Sequence, residues 1–303
     1  MSPCKTSIVI ISIALLLLVG CAPLELSNIE WDAPSARFDQ AIDSTNRSFS
    51  FLVFTDLHFG RDNSGVYWKN DEFLAWLNAY PNALDFALNL GDMTSESLES
   101  EFHQAANFLQ ELEDRGIPTH SLVGNHDVRN EGRTLFRSLI HAQTARRFSY
   151  GGISFYLLDS GNASLGRKQL RALIKQASLD PNPKIFCSHI PFYGGPEMYY
   201  FGLSDAWERS MLVNTVVEAK VGLVLSGHLH LTELLHHYTD GHAELVCASF
   251  HGRDSIIEQT LPTWYVCSYD HIAKQLAVSQ FQVTKEKTIS CSVIAVLQMP
   301  SSS

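Results

Sequence analysis

Five short apolar runs in this chain each lead into metal-ligating side chains, and their order constrains the fold more than any other feature. The runs at 51–54, 86–90, 121–123, 185–187 and 221–225 are rich in Val, Ile, Leu and Phe. They lead into Asp56-Leu57-His58, Gly91-Asp92, Gly124-Asn125-His126-Asp127, a solitary His189 and Gly227-His228-Leu229-His230. Polar side chains at the carboxyl ends of buried strands sit where open α/β sheets gather their ligand sites. Glycine before the ligand in three of the five motifs frees the backbone for a tight bend from strand to loop.

Between these runs the pattern changes from strand to helix. The clearest helix covers 99–114, with Leu98, Phe102, Ala105, Leu109 and Leu112 on one face, and Gly116 with Pro118 ending it. Shorter apolar stripes of the same period occur at 135–140, 170–174 and 212–217. Strand alternating with helix implies sheets covered by helices. After His230 the helix signals fade. Strands are expected at 232–238, 243–248, 263–269 and 275–283, with Asp240-Gly241 as a hairpin turn between the first two. These four are expected to form a second, largely antiparallel sheet, with an edge strand at 289–296 and a frayed tail in 284–303.

With 303 residues, 45% hydrophobic and 18% charged, the chain has material for a substantial core and lacks the signature of disorder. The formal charge of -10 is spread along the sequence. It argues against binding long nucleic acids, which depends on Lys and Arg neutralising phosphates. It does not exclude small nucleotides.

The amino terminus has its own pattern. Lys5 precedes an apolar run at 8–19, followed by Gly20 and Cys21. The run is short of the roughly 20 residues that span a bilayer and fits a signal-peptide core. Leu18-Val19-Gly20-Cys21 resembles the lipobox of bacterial lipoproteins. That resemblance implies cleavage after residue 20, lipid on Cys21, and an exported domain anchored to a membrane of the bacterial envelope. Ala22 points to the outer membrane in the best-known sorting scheme; an uncleaved anchor helix is the alternative. The organisation expected is a signal peptide at 1–20, a lipidated tether at 21–48 and a catalytic domain at 49–283. Of the remaining cysteines, Cys247 and Cys267 on neighbouring strands are a conceivable disulfide pair, against buried thiols as the alternative.

The five motifs supply carboxylates from Asp56 and Asp92, imidazoles from His58, His189, His228 and His230, and an amide oxygen from Asn125. Oxygen and nitrogen donors without thiolate suit Mn, Fe or Zn. Two such ions about 3.5–4 Å apart would stabilise both attacking and leaving oxygens of an in-line displacement. In this set and order the motifs resemble those of calcineurin-like metallophosphoesterases, over roughly residues 49–283. The resemblance implies a four-layer αββα sandwich of two mixed sheets flanked by helices (α/β). It also implies two divalent metal ions, one on Asp56, His58, Asp92 and His230, the other on Asp92, Asn125, His189 and His228. The activity implied is hydrolysis of small phosphoesters. His126 is the candidate general acid for the leaving group. Asp127 would either orient the His126 imidazole, raise its pKa through its negative charge, or cap a helix.

Departures from the pattern narrow the class. Purple acid phosphatases carry a Tyr three residues after the bridging aspartate, where this chain has Ser95. Protein Ser/Thr phosphatases have an arginine-bearing motif downstream of Gly-Asp, where this chain reads Met93-Thr94-Ser95-Glu96. What remains resembles the compact phosphodiesterase-like branch. Substrate choice is assigned to the loop at 191–205, whose Phe192, Tyr193, Tyr199, Tyr200 and Phe201 either stack a base or sugar or form a packed lid. Arg61, Arg129, Arg253 and His251 stand near motif ends without an assigned role. A phosphodiesterase is slightly preferred over a phosphomonoesterase, and the alternatives are an exported nuclease or nucleotidase and a non-catalytic metal-binding lipoprotein.

Overall fold

A computed structural model describes residues 36–43, 45–60, 71–193, 202–230, 234–252 and 261–300. The signal-like segment, Cys21, Arg61, Arg253 and residues 194–201 of the aromatic loop lie outside these. Among the described residues no helix is long and apolar enough to cross a membrane.

Among the described residues, twelve strands form two six-stranded sheets packed face to face. The first has the order β12-β11-β10-β1-β2-β3. Its parallel part is β1 (Phe49–Phe54), β2 (Phe86–Asn89) and β3 (Thr119–Ser121). Its antiparallel part is β10 (Thr263–Asp270), β11 (Gln275–Val283) and β12 (Ile289–Gln298). The second sheet has the order β4-β5-β6-β7-β9-β8. Its members are β4 (Arg146–Tyr150), β5 (Ile153–Leu157), β6 (Lys184–Cys187), β7 (Val221–Ser226), β8 (Leu234–Thr239) and β9 (His242–Val246).

Among the described residues, three helices cover the outer face of the first sheet: α1 (Asp71–Ala79), α2 (Glu99–Glu113) and α3 (Gly132–Leu139). They bury Phe73, Trp76, Phe102, Leu109, Leu112 and Phe136 against Leu52, Phe54, Trp264 and Val266. Two helices, α4 (Gly166–Leu179) and α5 (Ala206–Glu218), cover the second. Their Leu170, Leu173, Leu212 and Val216 meet Tyr156, Phe186 and Val224. Between the sheets, Phe51, Val53, Leu88, Phe155, Ile185, Leu223 and Leu245 form the central core. The layers are helix, sheet, sheet, helix, as the motif resemblance implies.

The strands after His230 do not make a sheet of their own. β8 and β9 complete the second sheet, while β10–β12 extend the first. The reason lies in β10. Its Tyr265, Cys267 and Tyr269 point into the inter-sheet core, and Trp264 and Val266 into the helix side. A strand apolar on both faces is buried by inserting beside β1, not by closing a solvated edge. The expected hairpin at Asp240-Gly241 is present between β8 and β9, with Gly241 at φ 80°.

The tether expected at 21–48 reaches the domain earlier than the composition suggests. Phe38 is 1% exposed and packs on Tyr156, and Arg37 bridges to Arg146 in parallel alongside β4. A single large apolar side chain turns this polar stretch into a strap. Two elements exceed the sequence expectations: α1, whose Phe73, Trp76 and Leu77 are buried at helical spacing, and the β4–β5 hairpin, whose Gly151-Gly152 turn has φ of 57° and 80°. Leu98, expected on the buried face of α2, precedes the helix and is 54% exposed. Cys187, Cys247, Cys267 and Cys291 are all thiols, so no disulfide joins Cys247 to Cys267.

Candidate metal centre

The five motifs converge where both sheets present the carboxyl ends of parallel strands. Asp56 and His58 follow β1, Asp92 follows β2, and Asn125 and His126 follow β3. His189 follows β6, and His228 and His230 follow β7. Each loop must turn sharply to aim its ligands at one point, and the backbone records it. Asp56, His58, Asp92, His228 and His230 all have left-handed φ, of 57°, 48°, 52°, 73° and 55°. Side-chain-bearing residues hold such angles at a cost and only where the surroundings fix them.

Two glycines permit the approach of neighbouring loops. A Cβ on Gly91 would stand 2.6 Å from Gly124 N, and one on Gly124 would stand 2.1 Å from Asp92 Oδ1. The loops after β2 and β3 therefore touch backbone to backbone. Gly227 is held as closely by the other sheet, with Thr55 Oγ1 at 2.1 Å from its would-be Cβ.

The donor atoms form two groups that share one residue. In the first, Asp56, His58, Asp92 and His230 place a ligand atom each within 4.8 Å of one another. His230 Nε2 is 2.8 Å from Asp56 Oδ1 and 2.9 Å from His58 Nε2. In the second, Asp92, His189 and His228 do the same. His189 Nε2 is 3.2 Å from Asp92 Oδ2 and 3.1 Å from Asn125 Oδ1. Asp92 Oδ2 also lies 3.8 Å from His58 Nε2, so this one atom faces both groups. Its partner Oδ1 is occupied by the backbone N–H of His126 at 2.7 Å.

Asp56, His58, Asp92 and His189 are buried, and the electrostatics call for a cation. Burial alone would raise both aspartates; the histidines around them override it and hold both carboxyls well below the usual range. Burial pushes His58 far down, and pushes His228 to about 4. His189 moves the other way, to about 9: burial opposes this, but Asp92 beside it prevails. Its Nδ1 faces the Leu90 carbonyl at 2.9 Å while Nε2 faces two oxygens. Both ring nitrogens thus meet acceptors, and without a metal the ring must carry two protons. The Leu90 contact is the arrangement by which an outer carbonyl fixes a ligand histidine's tautomer. A divalent ion in place of the second proton fits this donor set.

His126 is half-buried at the open side of the cluster, its ring perpendicular to His58 with centroids 4.8 Å apart. Its Nδ1 meets Ser95 O at 2.6 Å, which directs Nε2 outward, where Arg129 Nη2 stands at 3.2 Å. Arg129 also donates to Ser95 O and to Glu96 Oε2. Asp127 neither orients the His126 ring by a hydrogen bond nor caps a helix. Its carboxylate accepts from the N–H groups of Met93, Thr94 and Gly124 and from Thr94 Oγ1, at 2.8–3.2 Å. It therefore clasps the loop after β2 to the loop after β3 and makes no hydrogen bond to the His126 ring. It caps no helix either, since α3 is preceded by Glu131.

His251 is the residue here that the sequence motifs did not assign. It is buried, its ring lies 6.0 Å from that of His58, and its N–H donates to Asp56 O at 3.2 Å. No spacing signal marks it, because β10 and the loop before it join the first sheet only through tertiary pairing. In the aromatic loop, Phe192 is buried, while Tyr193 is 36% exposed and stacks on His236 at 4.1 Å. Ser95 is buried and donates to His58 O at 3.0 Å.

Two mixed sheets that bring seven oxygen and nitrogen donors to the ends of their parallel strands define a metal-dependent phosphoesterase. The chain belongs to the calcineurin-like phosphoesterase family, whose model matches residues 49–231. No curated protein matches the sequence. Among solved structures it is similar to GAP50, the anchor in the inner membrane complex of Plasmodium, with 15% identity and a TM-score of 0.61, over 84% of this chain and 90% of that one. It is also similar to purple acid phosphatase PPD1 from yellow lupin (Lupinus luteus) seeds, with 13% identity and a TM-score of 0.59, over 84% of this chain and 54% of that one. At these identities the likeness is one of fold.

Two outcomes test this geometry. Gly124→Ala should displace Asp92 and weaken metal binding by about 10–100-fold, with far-UV circular dichroism unchanged; full metal content in the variant would show the contact to be dispensable. In chelated protein, histidine NMR should place the His189 titration near 9. Because that value is raised, the pair with Asp92 stabilises the metal-free fold fully below the ordinary 6.5 and is lost as pH rises through 9. A midpoint at or below 6.5 would contradict the pairing.

Proposed function

We propose that this chain hydrolyses small phosphodiesters in preference to phosphomonoesters, with two divalent ions of Mn, Fe or Zn. The observation that carries the reading is the single oxygen, Asp92 Oδ2, facing both donor groups. Asp56, His58, Asp92 and His230 would hold one ion, and Asp92, Asn125, His189 and His228 the other. When bound, such a pair supplies Lewis acidity and an activated water at neutral pH.

The chain's own residues supply the rest. His228 N–H fixes Asp56 Oδ2 at 3.1 Å and His126 N–H fixes Asp92 Oδ1, so neither carboxylate can rotate away. Ser95 O holds the His126 Nδ1 proton, leaving Nε2 as the atom that passes a proton to the departing alkoxide. Arg129 donates to that Nε2 in the resting arrangement and must turn away when Nε2 is itself protonated. A diester is favoured because Arg129, the guanidinium beside His126, is already engaged by Glu96. That leaves less cationic charge for the second negative charge of a monoester. The overall charge of -10 speaks against long polyanionic substrates.

After chelation and reloading with Mn, bis-aryl phosphate should be cleaved faster than mono-aryl phosphate, and the reverse order would assign a monoesterase. With the diester, His126→Ala should lower turnover about 10²–10⁴-fold, most for poor leaving groups, at unchanged metal content. Loss of metal in that variant would make His126 a ligand or a structural residue. Export on a lipid anchor at Cys21 completes the proposal, supported by the apolar run and the Leu18-Val19-Gly20-Cys21 pattern. Cys21→Ser should move the protein from the membrane to the soluble fraction, and unchanged partitioning would favour an uncleaved helix.

A further inference from the structure

Away from the metal centre, a cavity of about 260 Å³ lies between α2, the end of α3 and the start of β4. Gln110, Glu113, Thr119, Ser121, His141 and Arg146 line it. Arg146 is only 5% exposed, and its hydrogen bonds are both made by Nη1, to Ser121 O at 2.9 Å and Gln143 O at 3.4 Å. Among the described residues no carboxylate pairs with it, and its Nε and Nη2 make no hydrogen bond to them. A buried cation held by carbonyls alone is an expensive arrangement, and buried charges are ordinarily paired.

The surroundings do not neutralise this charge. Burial and then the Arg146 cation push His120 to about 3 and lower His141, so neither adds charge or relieves it. Glu113 is exposed and accepts from Thr119 Oγ1 at 2.8 Å. Ser121 and Thr119 share the outer face of β3 by strand alternation. Ser121 Oγ is buried with no hydrogen-bond partner, as is Thr144 Oγ1 two residues before Arg146. A guanidinium without a carboxylate partner and a buried unsatisfied hydroxyl thus border one cavity.

We propose that this cavity is a second anion site, distinct from the metal centre, that takes a small tetrahedral oxyanion of the phosphate class on Arg146 and Ser121. The planar guanidinium offers paired N–H groups that match two oxyanion oxygens, and Ser121 Oγ supplies a further donor. Its position gives it a route to the chemistry. Arg146 holds the Ser121 carbonyl, and the same strand continues through Leu122 and Val123 to Gly124, Asn125 and His126. An anion seated here bears on the strand end that carries a metal ligand and the candidate acid.

Equilibrium dialysis of the full chain against labelled inorganic phosphate tests the site without any turnover. Chelated wild-type protein should bind one phosphate per chain, and Arg146→Gln should weaken that binding by about tenfold or more. Should Arg146→Gln fail to fold, Ser121→Ala is the second variant, with a severalfold loss expected. No binding by the chelated wild type, or equal binding by a folded variant of either kind, would overturn the proposal. Neither result bears on phosphoesterase activity, so the two readings fail separately.

Discussion

The structure depends on keeping two buried carboxylates ionised at the junction of the sheets. Asp56 and Asp92 are both 1% exposed or less, and histidines, not lysine or arginine, hold their charge. Water is excluded by the core on either side, so each carboxylate oxygen needs a defined partner. The backbone provides part of this, through the N–H groups of His126 and His228. The remaining oxygens face imidazoles across the sheet junction. Neither sheet could build this alone, since Asp56 and Asp92 belong to one and His189, His228 and His230 to the other.

Close backbone contact follows from that need. Imidazole and carboxylate reach are short, so loops from different strands must nearly touch. Gly91 meets Gly124 and Gly227 meets Thr55 with no room for a Cβ. Asp127 then fastens the two loops of the first sheet by four hydrogen bonds to one buried carboxylate. Desolvation and the neighbouring Asp92 raise Asp127 to about 7, against the pull of those same bonds. The loop clasp is made of charge held under strain, in the same few ångströms as the ligands.

The sequence made the ligand ladder legible because each ligand follows its own strand, which is a local pattern. Asp56, His58, Asp92, Asn125, His189, His228 and His230 all arrive at one place for that reason. The fold's layers were legible for the same reason, through alternating periodicity. What escaped was set by pairing between distant segments. The destination of β10–β12 depends on which edge accepts a strand apolar on both faces, and Tyr265 and Trp264 reveal this only once β1 is in place. His251 reaches His58 by the same tertiary route. Asp127 was misread because its partners, Met93 and Thr94, sit in another motif. Phe38 was hidden in a polar stretch, and α1 was passed over between two motifs.

The insertion of β10 beside β1 has a consequence in time as well as in space. β1 is made before both of its neighbours, β2, which follows closely, and β10, which comes after every ligand motif. A growing chain can form the parallel core of the first sheet early, yet leaves one side of β1 open until β10 emerges. Pairings of such long sequence separation are slow to form. Until then Phe51, Val53 and the Asp56 loop border an unsealed edge. The wall of the candidate metal centre beside β1 is therefore closed by a strand made after all seven candidate ligands.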